Sequence, residues 1–140
     1  KINYNTMKCL KEIDHIGYAV HDIQKSAQYY VDGGWSLSEI YDENIQNTKI
    51  AFLTKVGMPT IELVSPLDGE SPVDNILKHS GVAPYHICYV VDDMMAAVEE
   101  LYEEGFKPLF MPVKSVAMDN REICYLYHLE LGAIEVVSRN

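Results

Sequence analysis

The feature that most constrains this chain is that it repeats itself. The stretch Asp14-His15-Ile16-Gly17-Tyr18-Ala19-Val20-His21-Asp22-Ile23 returns 71 positions later as Tyr85-His86-Ile87-Cys88-Tyr89-Val90-Val91-Asp92-Asp93-Met94. His, Ile, Tyr, Val and Asp recur in step at 15/86, 16/87, 18/89, 20/91 and 22/93. The later parts echo too: Ile61-Glu62-Leu63-Val64 resembles Ile134-Glu135-Val136-Val137. The His-to-Glu spacing is 47 residues in the first copy and 49 in the second. Two halves sharing one plan predict a duplicated supersecondary unit rather than one irregular fold.

The hydrophobic period says what each unit contains. Ile23, Ala27, Tyr30 and Val31 follow the first strand-like run at helical spacing, and Met94, Ala97, Val98 and Leu101 follow the second. Asp22 and Asp93 stand where N-caps belong. Strands are expected near 13–20, 36–43, 48–55 and 59–65, then near 85–91, 106–112, 121–127 and 133–138. Gly33-Gly34 and Gly105 punctuate helix from strand. Each half therefore reads as βαβββ, and the fold class is α+β with two tandem modules. Module one covers about 13–66, a linker helix 67–84, and module two 85–138, within a single domain 13–140 behind a short extension, 1–12, to which no function is assigned. Met7 sits where an alternative start would. In the linker, Ser71-Pro72 resembles an N-cap with proline at the first helical position, opening a helix from Val73 to His79 that Gly81 closes.

Composition narrows the function. Lys and Arg number 11 against 21 Asp and Glu, a net charge of −10, which disfavours nucleic acid and anionic membrane surfaces as partners. Six of the acids fall between Asp92 and Glu104, the pattern of a solvated helix face. No apolar run approaches a membrane span, and Lys1–Leu10 lacks the apolar core of a signal peptide. Cys9, Cys88 and Cys124 are odd in number and form no CxxC pair, against a disulfide framework or structural zinc. A reduced, cytoplasmic protein is the expectation.

Strand phase then acts on the histidines. Alternate side chains share a face, so His15 points with Gly17 and Ala19, and His86 with Cys88 and Val90. Glu62 and Glu135 each lie opposite their bulky neighbours, Ile61 and Leu63 in one half, Ile134 and Val136 in the other. Each half thus offers one imidazole and one carboxylate on the same kind of face. A pseudo-twofold would bring His15, Glu62, His86 and Glu135 to one divalent cation that takes nitrogen and oxygen ligands together. Singly, a strand His is more often a hydrogen-bonded residue, and a strand Glu more often faces water; the matched recurrence favours the ligand reading. His21, His79 and His128 read as non-ligands. Phe110, Met111, Met118 and Tyr125 read either as substrate wall or as core. Asn120-Arg121 reads either as a cationic contact or as a turn.

These residues resemble the vicinal oxygen chelate superfamily, which includes glyoxalase I, methylmalonyl-CoA epimerase, extradiol dioxygenases and bleomycin-resistance proteins. The resemblance runs from about Ile13 to Val137. Within the superfamily the chain is similar to the methylmalonyl-CoA epimerases and the glyoxalase-like proteins beside them. The segments Asp14–Val20, Ile61–Pro66, Glu70-Ser71-Pro72-Val73 and His86–Asp93 carry that likeness. It implies metal ligands at His15, Glu62, His86 and Glu135, a divalent metal (cobalt, nickel or zinc), and a homodimer. It also implies an isomerase or epimerase that stabilises an enolate by chelating two substrate oxygens; among the residues present, Glu135 and Glu62 are the carboxylates expected to transfer the proton. The substrate would be an acyl-CoA thioester or, as the alternative, the glutathione hemithioacetal of a lactoylglutathione lyase. A metal-free drug-binding role is disfavoured because such binders need none of the four ligands. An extradiol dioxygenase is disfavoured because Glu62 fills a position that oxygen or substrate needs. The sequence departs from the epimerase pattern in four places. Glu62 stands where Gln is common, Ile50 where some epimerases carry a glutamate base, and Tyr85 where a second His precedes the ligand. Tyr127–Gly132 replaces a His-Pro-Lys-Ser turn.

Overall fold

The computed structural model describes residues 5–140; residues 1–4 of the extension lie outside the described part. The chain divides into two compact units, one from His15 to Tyr85 and one that joins the described residues up to Asp14 with His86–Asn140. Pairing is both parallel and antiparallel, and three α-helices accompany the strands. The expected α+β class and the doubled plan are both present, with four strands after the helix of each half where three were expected.

In the first unit the order is β1 (Glu12–Ala19), α1 (Ile23–Asp32), β2 (Ser36–Leu37), β3 (Tyr41–Glu43), β4 (Thr48–Thr54), β5 (Ile61–Pro66) and α2 (Val73–Ser80). β5 lies between β1, parallel, and β4, antiparallel, while β2 and β3 both pair with β4. The second unit repeats this: β6 (Ala83–Val91), α3 (Met94–Glu103), β7 (Lys107–Pro108), β8 (Val113–Ser115), β9 (Arg121–His128) and β10 (Gly132–Ser138). Here β10 lies between β6, parallel, and β9, antiparallel, with β7 and β8 on β9.

The helices start where the sequence places them. Asp22 and Asp93 are extended, and each carboxylate accepts from a backbone N–H three residues on, Lys25 and Ala96, at 3.0 and 3.1 Å. Each cap satisfies a donor that the first helical turn leaves unpaired. Asp93→Ala should therefore cost about 1 kcal/mol. In urea the midpoint should fall with the slope unchanged.

Two expected strands are broken. The 36–43 run splits because Ser38 uses its side chain in the ladder: its Oγ accepts the Phe52 N–H at 2.8 Å while its own N–H donates to Phe52 O. The 106–112 run keeps two paired residues, Lys107 and Pro108. Pro108 and Pro112 have no N–H to give a ladder. The linker helix runs Val73–Ser80 with Pro72 already helical at φ −55°, but no hydroxyl caps it. The Asp74 carboxylate accepts the Ser71 N–H instead, at 2.8 Å.

One face of each sheet packs on its helix. Val20, Ile23, Ala27, Ala51, Leu53 and Leu63 form the first core. Val91, Met94, Ala97, Leu101, Phe106, Cys124, Leu126, Ile134 and Val136 form the second. Met7, Cys9 and Leu10 of the extension pack against this second core, and the Cys9 N–H donates to Glu100 at 2.9 Å. The described residues of the extension are thus a structural part of the second unit. Among the described residues, no helix is long and apolar enough to cross a membrane.

Candidate functional site

The core on one face leaves the other face of each sheet for His and Glu. Along β1 burial alternates, and His15, Gly17 and Ala19 take the fully buried positions; along β6 His86, Cys88 and Val90 do. Register then chooses the neighbours. Gly17 pairs with Glu62 across β1–β5, and Cys88 pairs with Glu135 across β6–β10. The glutamate thus sits beside a small residue, two positions beyond the histidine on the same face. That offset brings His15 Nε2 to 3.4 Å from Glu62 Oε1 and His86 Nε2 to 3.1 Å from Glu135 Oε1. His15 is 0% exposed, Glu62 2%, His86 4% and Glu135 2%.

Burying an imidazole and a carboxylate costs several kcal/mol unless each has partners. The chain buries such a partnered pair twice, at corresponding places, which sets these pairs apart from ordinary core packing. The set, two buried imidazoles and two buried carboxylates, is a candidate for holding a metal ion. Its mixed nitrogen and oxygen donors suit a cation of borderline hardness.

Each pair has an aromatic third member; from sequence Tyr125 reads as a wall or core candidate, paired with no histidine, and Phe52 is passed over. Phe52 is the β4 residue opposite Glu62, and Tyr125 is the β9 residue opposite Glu135. Each ring meets its histidine edge-on: Phe52 to His15 with centroids 5.6 Å apart at 69°, Tyr125 to His86 at 5.2 Å and 70°. Sequence carried the signal, since each aromatic precedes its glutamate by ten residues. Of the wall candidates, Tyr125 and Met118 are buried, Met111 is exposed, and Phe110 stands edge-on to Tyr125 at 6.1 Å. Of these four, Tyr125 meets a candidate ligand, His86.

The remaining histidines are elsewhere. His21 and His79 are exposed. His128 donates through Nε2 to Glu104 O and accepts the Glu130 N–H at Nδ1, so both ring nitrogens are committed to the β9–β10 turn and the end of α3. Asn120-Arg121 is a turn: Asp119 and Asn120 have φ of 57° and 61°, and the guanidinium bonds Met118 O and Ser138 O and pairs with Asp14 at 3.5 Å. Ile50 is buried in β4, so no acid occupies that position.

Cys9 and Cys124 are poor nucleophiles, and Cys88 is buried. Burial, with the Glu135 carboxylate nearby, pushes the Cys124 thiol up to about 11. Burial and a bond to Glu100 push Cys9 up to about 12. The thiolate is the reactive form. Native protein at pH 8 should therefore react slowly with a thiol reagent, and all three cysteines should react promptly in denaturant.

Comparison with known proteins agrees with the architecture. A family described as the glyoxalase/bleomycin resistance protein/dioxygenase superfamily matches residues 14–125. Methylmalonyl-CoA epimerase of Homo sapiens mitochondria is 28% identical over 129 residues, 91% of this chain and 72% of that one. Ethylmalonyl-CoA/methylmalonyl-CoA epimerase of Cereibacter sphaeroides is 29% identical over 82% of this chain and 87% of its own. Among solved structures, methylmalonyl-CoA epimerase from Mycobacterium tuberculosis has a TM-score of 0.83 at 23% identity, covering 99% of this chain and 93% of that one. A Streptomyces coelicolor methylmalonyl-CoA epimerase variant, in complex with 2-nitronate-propionyl-CoA, has a TM-score of 0.79 at 24% identity, covering 92% and 97%. The match spans both modules and takes in three of the four His and Glu positions, so the chain belongs to the glyoxalase/bleomycin resistance protein/dioxygenase superfamily.

Proposed function

We propose that the chain is a divalent-metal-dependent epimerase of acyl-CoA thioesters, of the methylmalonyl-CoA epimerase kind. The observation that carries this is the duplicated buried His–Glu pair, 3.4 Å in one unit and 3.1 Å in the other. The relatives' names point to the same chemistry. His15, Glu62, His86 and Glu135 are the ligands in this reading, and cobalt, nickel and zinc all suit them. The cation, when bound, supplies Lewis-acid stabilisation of charge on two neighbouring substrate oxygens.

The chain's own residues supply the rest. Epimerisation removes a proton from the α carbon and returns one to the other face, so it needs two groups that can hold a proton. Glu135 and Glu62, one from each module, take those roles; each can accept the α proton at a carboxylate oxygen and return it. The burial of both pairs keeps bulk water from competing for that proton. A homodimer is part of the reading, as the family resemblance implies.

The test is exchange of the α proton of methylmalonyl-CoA in heavy water, with cobalt, nickel or zinc added separately. Exchange should appear with metal, vanish on chelation and return on reloading. Consumption of the methylglyoxal–glutathione adduct in a parallel assay, without thioester exchange, would move the reading to a lactoylglutathione lyase. Protein that binds no metal at all would end both.

A further inference from the structure

The two units treat one corner of their shared plan differently. In each, a serine stands three residues past the glutamate, Ser65 in β5 and Ser138 in β10. In the second unit that corner satisfies itself. Pairing of β9 with β10 reaches Ile123 and Val137, and the next N–H, that of Glu122, donates to Ser138 Oγ at 3.0 Å. The Ser138 hydroxyl donates in turn to Asn140 O at 3.2 Å. Asp92, just before the Asp93 cap, is held by Arg139 at 2.8 Å.

In the first unit the same positions are rebuilt. Lys49 stands where Glu122 does, His21 where Asp92 does, and Pro66 where Arg139 does. Pairing of β4 with β5 runs on through Lys49 with Ser65 and Thr48 with Pro66, so the backbone does not call on the hydroxyl. Ser65 is 4% exposed, yet its hydroxyl has no partner among the described residues. Leaving a buried hydroxyl unmatched is unfavourable, and such groups ordinarily have a partner. Ser65 lines a cavity of about 290 Å³, together with Lys49, His21, and Ile23 and Gln24 at the start of α1.

The groups that meet there are donors. The first N–H groups of a helix have no intrahelical partner. Asp22 Oδ1 takes that of Lys25 and Asp22 O that of Ser26, which leaves those of Ile23 and Gln24. The aligned peptide dipoles of α1 add positive potential at the same end. Lys49 makes no ion pair among the described residues, although Asp42 lies opposite it on β3. The lining includes one carboxylate, Asp22, whose Oδ1 is directed at the Lys25 N–H at 3.0 Å. An ammonium, a hydroxyl, an imidazole and two backbone N–H groups together suit an anion with several oxygens. A phosphate group offers three strong acceptor oxygens, one more than a carboxylate. Ligand pockets begin at about 300 Å³, so this one suits a small ligand or one end of a larger one.

We propose that this cavity is a phosphate-binding site, which takes inorganic phosphate or a phosphate monoester on Ser65, Lys49 and the start of α1. It is distinct from the His–Glu site of the same unit. Ser65 shares a face of β5 with Leu63, which packs on Ile23 and Ala27 of α1, while Glu62 is on the other face. The site therefore stands whatever reaction His15 and Glu62 serve. Its occupation would supply the partner that Ser65 lacks and tie the ends of β4 and β5 to α1.

The test is titration of the full chain with inorganic phosphate, read by backbone amide chemical shifts with ionic strength held constant by chloride. The Ile23, Gln24 and Lys49 amides should move together along one saturable curve. Lys49→Glu copies the residue type of the second unit; it should weaken binding at least about tenfold, through loss of a charge-assisted bond and gain of a like charge. Ser65→Ala should weaken it about three- to tenfold with the rest of the spectrum unchanged, and it reads the same site should Lys49→Glu lose its fold. CoA and dephospho-CoA, titrated in parallel, separate the sources. Shifts with CoA that dephospho-CoA does not produce support the site with a nucleotide carrying the phosphate. Shifts with inorganic phosphate alone support it with a small free ligand. No saturable shift with inorganic phosphate or CoA overturns the proposal, and so does equal affinity in the wild type and Ser65→Ala.

Discussion

Glu135→Gln should lower metal-dependent α-proton exchange by about 10²- to 10⁴-fold, the range a positioned acid–base group contributes. The substitution is close to isosteric. The amide can still lie against His86 Nε2, where the carboxylate oxygen sits at 3.1 Å, and it keeps its place between Cys88 and Tyr125 in the ladder. What it removes is the negative charge and the ability to hold a proton. Folding should survive, which circular dichroism checks, while exchange and metal affinity fall. Glu62→Gln is the sharper companion, because glutamine is common at this position in epimerases. Comparable loss in both variants assigns a proton-transferring role to each carboxylate. Retained activity in Glu62→Gln leaves Glu62 as a ligand at most, and retained activity in Glu135→Gln removes the two-carboxylate mechanism.

Phe106→Ala should be the most destabilising simple truncation, costing about 3–5 kcal/mol. The side chain is 1% exposed and the largest of the fully buried set. It packs in the core that joins α3 to β9 and β10, and its ring lies 4.8 Å from that of His128. Its N–H also donates to Leu101 O, tying the end of α3 to the following strand. Alanine would leave a cavity in the middle of these elements. Domains of this size hold only about 5–15 kcal/mol in all, so the thermal midpoint should drop by roughly 10–20 °C. The control is Tyr102→Ala at 62% exposure on the same helix, expected within about 0.5 kcal/mol. A similar effect in both variants would show that this core is not where the second unit's stability resides.

Much of the candidate site was legible because its logic is local. Period-2 alternation places His15 with Gly17 and His86 with Cys88 on buried faces, and it needs only a few consecutive residues. The helix starts were legible for the same reason: an Asp three residues before its N–H partner is a contact within one turn. The breaks in the 36–43 and 106–112 strands were less so. Ser38 leaves the ladder through a hydroxyl that reaches Phe52, fourteen residues away, and no periodicity encodes that exchange. Arg121 is similar: its sequence position allows a free cation, and only the folded chain brings Ser138 O and Asp14 to it.

From sequence alone follow the duplication, the α+β module order, the caps, and the pairing of one His with one Glu per half. The tertiary structure decided which aromatic faces each glutamate, that the extension packs on the second core, and that His128 is spent on a turn. The physical reason is register. A strand's own alternation says which side chains share a face, but the neighbour across the ladder is set by hydrogen bonds between segments ten to fifty residues apart. Those bonds put a phenylalanine beside one pair and a tyrosine beside the other.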